Sequence, residues 1–178
     1  MKRYLCLFLL LIGFTAFAQS ERLFDHKSGK FTMQMEFGGQ TIKTYTVFDD
    51  FGAKQWSQTE TMGQLVSTLL LDGKSYILTP MFQELPTQET VNYMNLTPEV
   101  IQKFKIEMVG IDTVEGYDCL VYTLKVNQQG FEGDGKVWIW DGITICSVVT
   151  IMNMTMVTTI SNLEVDIPVD QSLFQLPN

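Results

Sequence analysis

The stretch FTMQMEFGGQTIKTYTVF, residues 31–48, decides how this chain folds. Apolar and polar side chains alternate from Phe31 to Phe37, which is the period of a half-buried β-strand. Gly38-Gly39 follows as a two-residue turn, and the alternation resumes over residues 41–48. The stretch therefore predicts an antiparallel hairpin.

The same pattern recurs on both sides of mid-chain. Gly52 and the pair Asp72-Gly73 punctuate further β-type segments, and a Gly-rich loop over residues 128–135 separates two more. The predicted strands after the first hairpin are residues 54–61, 64–71, 74–79, 117–126, 136–141, 143–150 and 161–167. Asp170 precedes a capped turn that we expect to bring Leu173 and Phe174 against the sheet.

One helix start stands out, at Thr97-Pro98-Glu99. Threonine caps, proline fits the first turn, and glutamate faces the positive end of the helix dipole. The apolar side chains at helical spacing are Leu96, Val100, Ile101, Phe104 and Met108, although residues 105–113 can equally form a strand. We therefore expect an α+β domain over residues 19–178, with a large curved antiparallel sheet of about nine to eleven strands and one or two short helices.

The first eighteen residues indicate export. Lys2 and Arg3 precede an apolar run over residues 5–14, and Ala16-Phe17-Ala18 supplies a small-x-small cleavage site. The run is too short for a membrane span, so we expect a cleaved signal peptide over residues 1–18 and no transmembrane segment in the mature chain. Its removal leaves 10 basic and 20 acidic side chains, a net charge of −10. Such a surface disfavours nucleic acid and charge-driven attachment to anionic lipid.

Two cysteines remain in the mature chain, Cys119 and Cys146. An exported protein can form disulfides, but the predicted order of strands puts these cysteines two strands apart. Neighbouring strands lie about 4.8 Å apart, so that separation exceeds the reach of a disulfide. We expect two buried free thiols.

Signatures of enzymes are weak. The single histidine, His26, lies in a polar segment and is expected to be a solvated surface residue, so neither a Ser-His-Asp triad nor a Cys-His pair has a base. The carboxylate pairs Asp49-Asp50 and Glu132/Asp134 fall at predicted turns. The chain has neither zinc-ligand spacing nor a phosphate-binding glycine motif, and we expect no catalysis, no cofactor and no metal.

Methionine and tryptophan are the unusual residues. Met33 and Met35 share one side of the first strand, and Met152, Met154 and Met156 would line one side of a late strand. Three explanations stay open: a methionine-rich core, an adaptable cavity for acyl chains, and Cu(I) binding by thioethers. Trp138 and Trp140 project from one side of their strand, where they either floor a ligand pocket or pack in the core.

The order of elements resembles the LolA/LolB-like superfamily, in particular an uncharacterised branch of exported bacterial proteins. The segments that carry the resemblance are DTVEGYDCLVY (112–122), GKVWIWD (135–141) and IPVDQSLFQLP (167–177). It implies an unclosed β-barrel wrapped round helices, an apolar cavity that holds lipoprotein acyl chains in the carriers, a Gram-negative periplasm and no cofactor. The carriers open with a long amphipathic helix, whereas residues 19–30 here are short and polar. No functional residue of the carriers is transferred.

The sequence thus favours a periplasmic protein that binds a hydrophobic small molecule or acyl chain. The expected wall residues are Met33, Met35, Trp138, Trp140, Met152, Met154 and Met156. The alternative is a non-catalytic module of the cell envelope, with a filled core and protein partners.

Overall fold

The computed structural model describes residues 22–61, 63–79, 81–85, 91–128 and 131–177. The predicted signal peptide lies outside these residues. Eleven antiparallel strands form one sheet in the order β6-β5-β4-β3-β2-β1-β11-β10-β9-β8-β7. The strands are β1 Gly29–Phe37, β2 Gln40–Asp49, β3 Lys54–Thr61, β4 Gln64–Leu71, β5 Lys74–Thr79, β6 Gln83–Glu84, β7 Glu107–Val114, β8 Tyr117–Gln128, β9 Phe131–Trp140, β10 Ile143–Ile151 and β11 Met154–Val165. The sheet is curved and unclosed, as predicted.

The first hairpin forms as its sequence requires. Residues of β1 pair with β2 in continuous register from Gly29↔Phe48 to Phe37↔Gln40. Gly38 and Gly39 both have positive φ, which a two-residue turn demands. Successive side chains of β1 therefore lie on alternate faces of the sheet, as the sequence predicts.

The helix is shorter than its apolar pattern allowed. Helix α1 spans Pro98–Phe104, the Thr97 hydroxyl accepts from the Val100 N–H at 3.3 Å, and Lys105 ends the helix in the left-handed region. Met108 lies on β7 and not on the helical face, because the chain turns into a strand at Glu107. Of the two sequence-based alternatives for residues 105–113, the strand is correct.

Three buried clusters hold the domain together. The first surrounds Phe48, Cys119, Ile143, Ile145 and Ile160. The second lies where α1 and residues 91–96 cover β8 and β9, around Tyr122, Leu124, Val137 and Ile139. In the third, Leu173 and Phe174 of the 3-10 turn Gln171–Phe174 pack near Val47 and Leu69, as predicted for this segment.

Consecutive hairpins give the sheet two ends with different turns. One end, called the base end here, carries the turns at residues 50–53, 72–73, 115–116 and 141–142. The opposite end, called the tip end, carries the turns at residues 38–39 and 152–153 and the β3–β4 turn that contains Gly63. The connection from β5 to β6, which includes Met81 and Phe82, is directed toward this end as well. The segment Arg22–Ser28, called the N-terminal arm here, lies at the base end, where Asp25 N–H donates to the Asp141 carbonyl at 2.9 Å.

Candidate functional site

The pairing of the strands aligns side chains in rows that run across one face of the sheet. Apolar residues of four strands meet in these rows. Met35 on β1 lies opposite Ile42 on β2 and Thr158 on β11. Thr158 lies opposite Ser147 on β10, which in turn faces Val137 on β9. Val137 belongs to the cluster covered by α1, so this row runs from the helix-covered part of the sheet to Met35.

Two more rows extend the same face toward the tip end. Met156 lies opposite Val149, and Met154 opposite Ile151. Val149 and Ile151 face Gly135 and Gly133 of β9. A Cβ at Gly133 would come within 2.5 Å of Ile151 Cγ1, and one at Gly135 within 3.0 Å of Leu124 Cδ2. The glycines therefore let neighbouring side chains lie over the β9 backbone.

These rows define an apolar strip beside the part of the sheet that α1 covers. Its six residues are Met35, Ile42, Val149, Ile151, Met154 and Met156. Within the described ranges, none of the six belongs to a buried cluster. All but Met154 are partly buried, and Met154 retains 52% of its exposure near the tip end. The strip is a half-open apolar surface on β1, β2, β10 and β11.

The structure divides the seven residues that the sequence singled out. Met33, Trp138 and Trp140 pack against the first buried cluster. Met35, Met154 and Met156 lie on the apolar strip.

Met152 was expected on the late strand, but it lies with Asn153 in the β10–β11 turn, at 61% exposure. The turn forms because Ile151 and Met154 pair directly and leave two residues with positive φ between them. The Cu(I) alternative assigned three thioethers to one side of this strand, and only those of Met154 and Met156 remain there.

The tryptophans are fixed by polar contacts as well as by packing. Trp138 Nε1–H donates to the Asp112 carboxylate at 3.0 Å, and the Lys136 ammonium lies 4.6 Å from the Trp138 ring centroid. Trp140 packs against Tyr117, with ring centroids 4.8 Å apart. Trp138 also belongs to a different row from Met35, since it lies opposite Cys146. The tryptophans thus contribute to the core at the base end and not to the apolar strip.

The expectation that His26 is a solvated residue is wrong. Its side chain is 18% exposed and stacks on Trp140, with ring centroids 4.8 Å apart. Nδ1 lies 2.8 Å from Asp166 Oδ2, and Nε2 lies 3.3 Å from Asp141 Oδ2. An imidazolium donates from both nitrogens, so both carboxylates can be satisfied at once. Hydrogen bonds from His26 and the Lys27 N–H lower the pKa of Asp166.

The N-terminal arm is the element that sequence reasoning missed. Phe24 packs edge-on against Phe48, with ring centroids 4.9 Å apart. A Cβ at Gly52 would lie 2.6 Å from Phe24, and one at Gly142 would collide with the Leu23 carbonyl oxygen. The two glycines were visible as turn residues, but only the fold brings the arm over them.

The cysteines lie as the strand order predicted. Cys119 on β8 and Cys146 on β10 flank β9, and both are free. Cys119 is buried as expected, whereas Cys146 is only partly buried. Burial raises the pKa of both thiols, so they stay protonated at neutral pH.

Across the described ranges, no group of three or more His, Cys, Asp or Glu side chains is arranged to hold a metal ion. Nor is any helix in this part of the chain long and apolar enough to cross a membrane.

No protein-family model matches the sequence, and no curated protein matches it. Solved structures do match. The MucA/MucB complex of Pseudomonas aeruginosa is 13% identical, with a TM-score of 0.57 over 89% of this chain and 58% of that one. MucB alone is 13% identical, with a TM-score of 0.53 over 89% of this chain and 60% of that one. This chain thus spans about three fifths of the MucB chains.

A looser match is a putative outer membrane lipoprotein-sorting protein domain from Vibrio parahaemolyticus. It is 11% identical, with a TM-score of 0.39 over 88% of this chain and 92% of that one. At these identities the likeness concerns architecture. The fold that this chain shares with the MucB structures is an unclosed, LolA-like half-barrel.

Proposed function

We propose that this protein binds a hydrophobic ligand, a lipid or an acyl chain, on the apolar strip. The observation that carries the proposal is the row pattern. Met35, Met156 and Met154 continue the helix-covered core outward, yet they stay half-open in the described part of the chain. An apolar surface of this kind is stabilised when a ligand removes it from water, by about 25 cal/mol per Å² before ordering costs.

Methionine suits this role because its side chain is unbranched and flexible, so one surface can accommodate chains of different length. Thr158 and Ser147 interrupt the strip with hydroxyl groups, which could orient a polar ligand end. Met33 lies next to this surface, opposite Thr44 and Ile160, and belongs to the proposed wall at its buried end. Trp138 and Trp140 pack against the same buried cluster as Met33.

We further propose that the protein acts without catalysis, in the periplasm of a Gram-negative bacterium. The signal-peptide pattern of residues 1–18 supports export. The two ring nitrogens of His26 both face carboxylates in structural contacts, which supports a structural role for this histidine.

The test is binding of palmitate to mature protein purified without detergent, measured by displacement of a fluorescent fatty acid. Met35→Lys should weaken binding by at least about tenfold, since an ammonium that the ligand covers loses its hydration. Gln34→Lys is the matched control, because it places the same side chain one residue earlier, in the row of Thr159 and Lys43. Failure of palmitate to bind the unmodified protein, or equal loss in both variants, would contradict the proposal.

A second candidate function is protein interaction through β7, which ends the sheet. Edge strands usually carry protection against pairing, yet β7 exposes Met108, Val109 and Ile111, the last at 71%. MucB, which matches this fold, has been solved in complex with MucA. Under this alternative, Ile111→Lys would abolish partner binding and leave palmitate binding unchanged.

A further inference from the structure

The two ends of the half-barrel present chemically different turns. At the base end, each of the four turns carries an acidic residue: Asp50, Asp72, Glu115 and Asp141. At the tip end, the described residues of the turns named above are Gly38, Gly39, Gly63, Met152 and Asn153, and all of them are uncharged. Met81 and Phe82, in the connection from β5 to β6 that is directed toward the same end, are also uncharged. Residues 62, 80 and 129–130 lie outside the described ranges.

Large apolar side chains are exposed at the tip end. Phe37, Leu65 and Met152, called the apolar rim here, are 43%, 56% and 61% exposed. They stand at the ends of three hairpins that are neighbours in the sheet, since β1 pairs with both β2 and β11, and β3 and β4 follow β2. Phe37 lies on the face of the apolar strip, opposite Met156, whereas Leu65, next to Val66, lies on the other face. The rim therefore places exposed apolar side chains on both faces of one end of the sheet.

Met152 is the least expected of these residues on local grounds. Its φ is +51°, in the left-handed region where Gly, Asn and Asp are favoured. Asn153, the next residue, suits this turn, but a methionine at the first position is strained by its backbone and exposed by its position. A residue that contradicts the local rule for its turn is a candidate for a functional role.

Carboxylates lie just behind the rim. Glu36 precedes Phe37, and Glu60 lies directly opposite Leu65. Anionic headgroups would repel these groups and the net charge of the chain, whereas zwitterionic headgroups would not. The apolar strip begins at the same end, with Met154 immediately after the turn that bears Met152.

We propose that the apolar rim docks the protein on a zwitterionic lipid surface, with Phe37, Leu65 and Met152 entering the headgroup layer and the base end facing away. The proposal rests on the ligand-binding function above, because it identifies the lipid surface as the source of the ligand. The three side chains stand on different hairpins and are separated by one or more strands. A headgroup layer is fluid, so each of them can insert into it separately. The strip then opens directly toward the membrane.

The experiment is co-sedimentation of mature protein with phosphatidylcholine vesicles. The unmodified protein should bind, and the triple variant Phe37→Ser, Leu65→Ser, Met152→Asn should bind at least about tenfold more weakly, because it removes the inserted apolar area. Vesicles with one third phosphatidylglycerol should bind the unmodified protein more weakly at low salt. Circular dichroism checks that the triple variant is folded, which we expect since all three side chains are exposed and asparagine tolerates positive φ.

The matched control is Met108→Ser with Ile111→Ser, which removes two apolar side chains of β7 that are 56% and 71% exposed. It should bind vesicles like the unmodified protein. The proposal is overturned if the unmodified protein fails to bind phosphatidylcholine, if the control loses as much binding as the rim variant, or if the rim variant loses self-association and not vesicle binding. Palmitate binding in solution by the double variant Leu65→Ser, Met152→Asn, which keeps Phe37 opposite Met156 of the strip, separates this outcome from failure of the proposed function. Retained palmitate binding without vesicle binding isolates the rim, whereas vesicle binding without palmitate binding refutes the ligand site.

Discussion

Substituting Gly142 by alanine tests whether the N-terminal arm is an integral part of the fold. Gly142 and Gly116 are the second residues of equivalent two-residue turns, with φ of +84° and +85°. Alanine at either position is strained by its backbone alone, at about 1–2 kcal/mol. At Gly116 nothing lies within 4 Å of the added Cβ. At Gly142 the Cβ would collide with the Leu23 carbonyl oxygen and lie 2.7 Å from Met94 Cγ.

The difference between the two variants therefore measures how tightly the arm, together with the Met94 side chain, packs on this turn, and it cancels the strain of the turn itself. Relieving a contact with backbone costs about 1–3 kcal/mol, so Gly142→Ala should be destabilised by that much more than Gly116→Ala. At about 2–4 °C per kcal/mol for a chain of this size, the melting temperatures should differ by several degrees. Thermal and urea unfolding of the mature protein provide the measurement. Equal destabilisation of the two variants would refute the inference that the arm is seated on this turn.

Three further predictions concern the core, the histidine and the thiols. Phe48→Ala should cost about 3–5 kcal/mol in urea unfolding, because the ring is fully buried, and a loss below about 1 kcal/mol would contradict its central position. The pKa of Asp166 is lowered in the fold by His26, so its contribution to stability is present above the ordinary pKa of 3.8 and is lost as the pH falls through the lower folded value. Asp166→Asn should therefore remove part of the loss of stability measured below about pH 4. An unchanged dependence of stability on pH in this range would argue against the hydrogen bond between His26 and Asp166. With a thiol reagent at pH 8, Cys119 should react more slowly than Cys146, since Cys119 is fully buried; the reverse order in single-cysteine variants would contradict this burial.

Most strands could be read from alternation and turn residues, because a strand with one buried side repeats every two residues. The β3, β4 and β5 bounds agree with the segments predicted at 54–61, 64–71 and 74–79. The end of the helix was harder to predict. Residues 105–113 contain apolar side chains compatible with both periods, and the left-handed Lys105 that ends α1 has no sequence signal of the usual glycine kind.

The candidate site was predicted only in part. Alternation correctly put Met33 and Met35 on one side of β1, and Met154 and Met156 on one side of β11, since neither segment has an internal bulge at these positions. Met152 was assigned to the strand because Met152, Met154 and Met156 also have the spacing of a strand. The turn at Met152-Asn153 depends on the pairing of β10 with β11, which local sequence does not encode.

The sequence by itself determined the antiparallel hairpins, their turns and the separation of Cys119 from Cys146, because these depend on residues close together in the chain. Tertiary structure alone decided which apolar side chains are covered and which stay half-open. It also converted His26 from an apparently solvated residue into a contact between Asp141 and Asp166, more than a hundred residues away along the chain. The physical reason is that burial and charge pairing depend on how the sheet curves and which segments cross its ends, and neither property is periodic in the sequence.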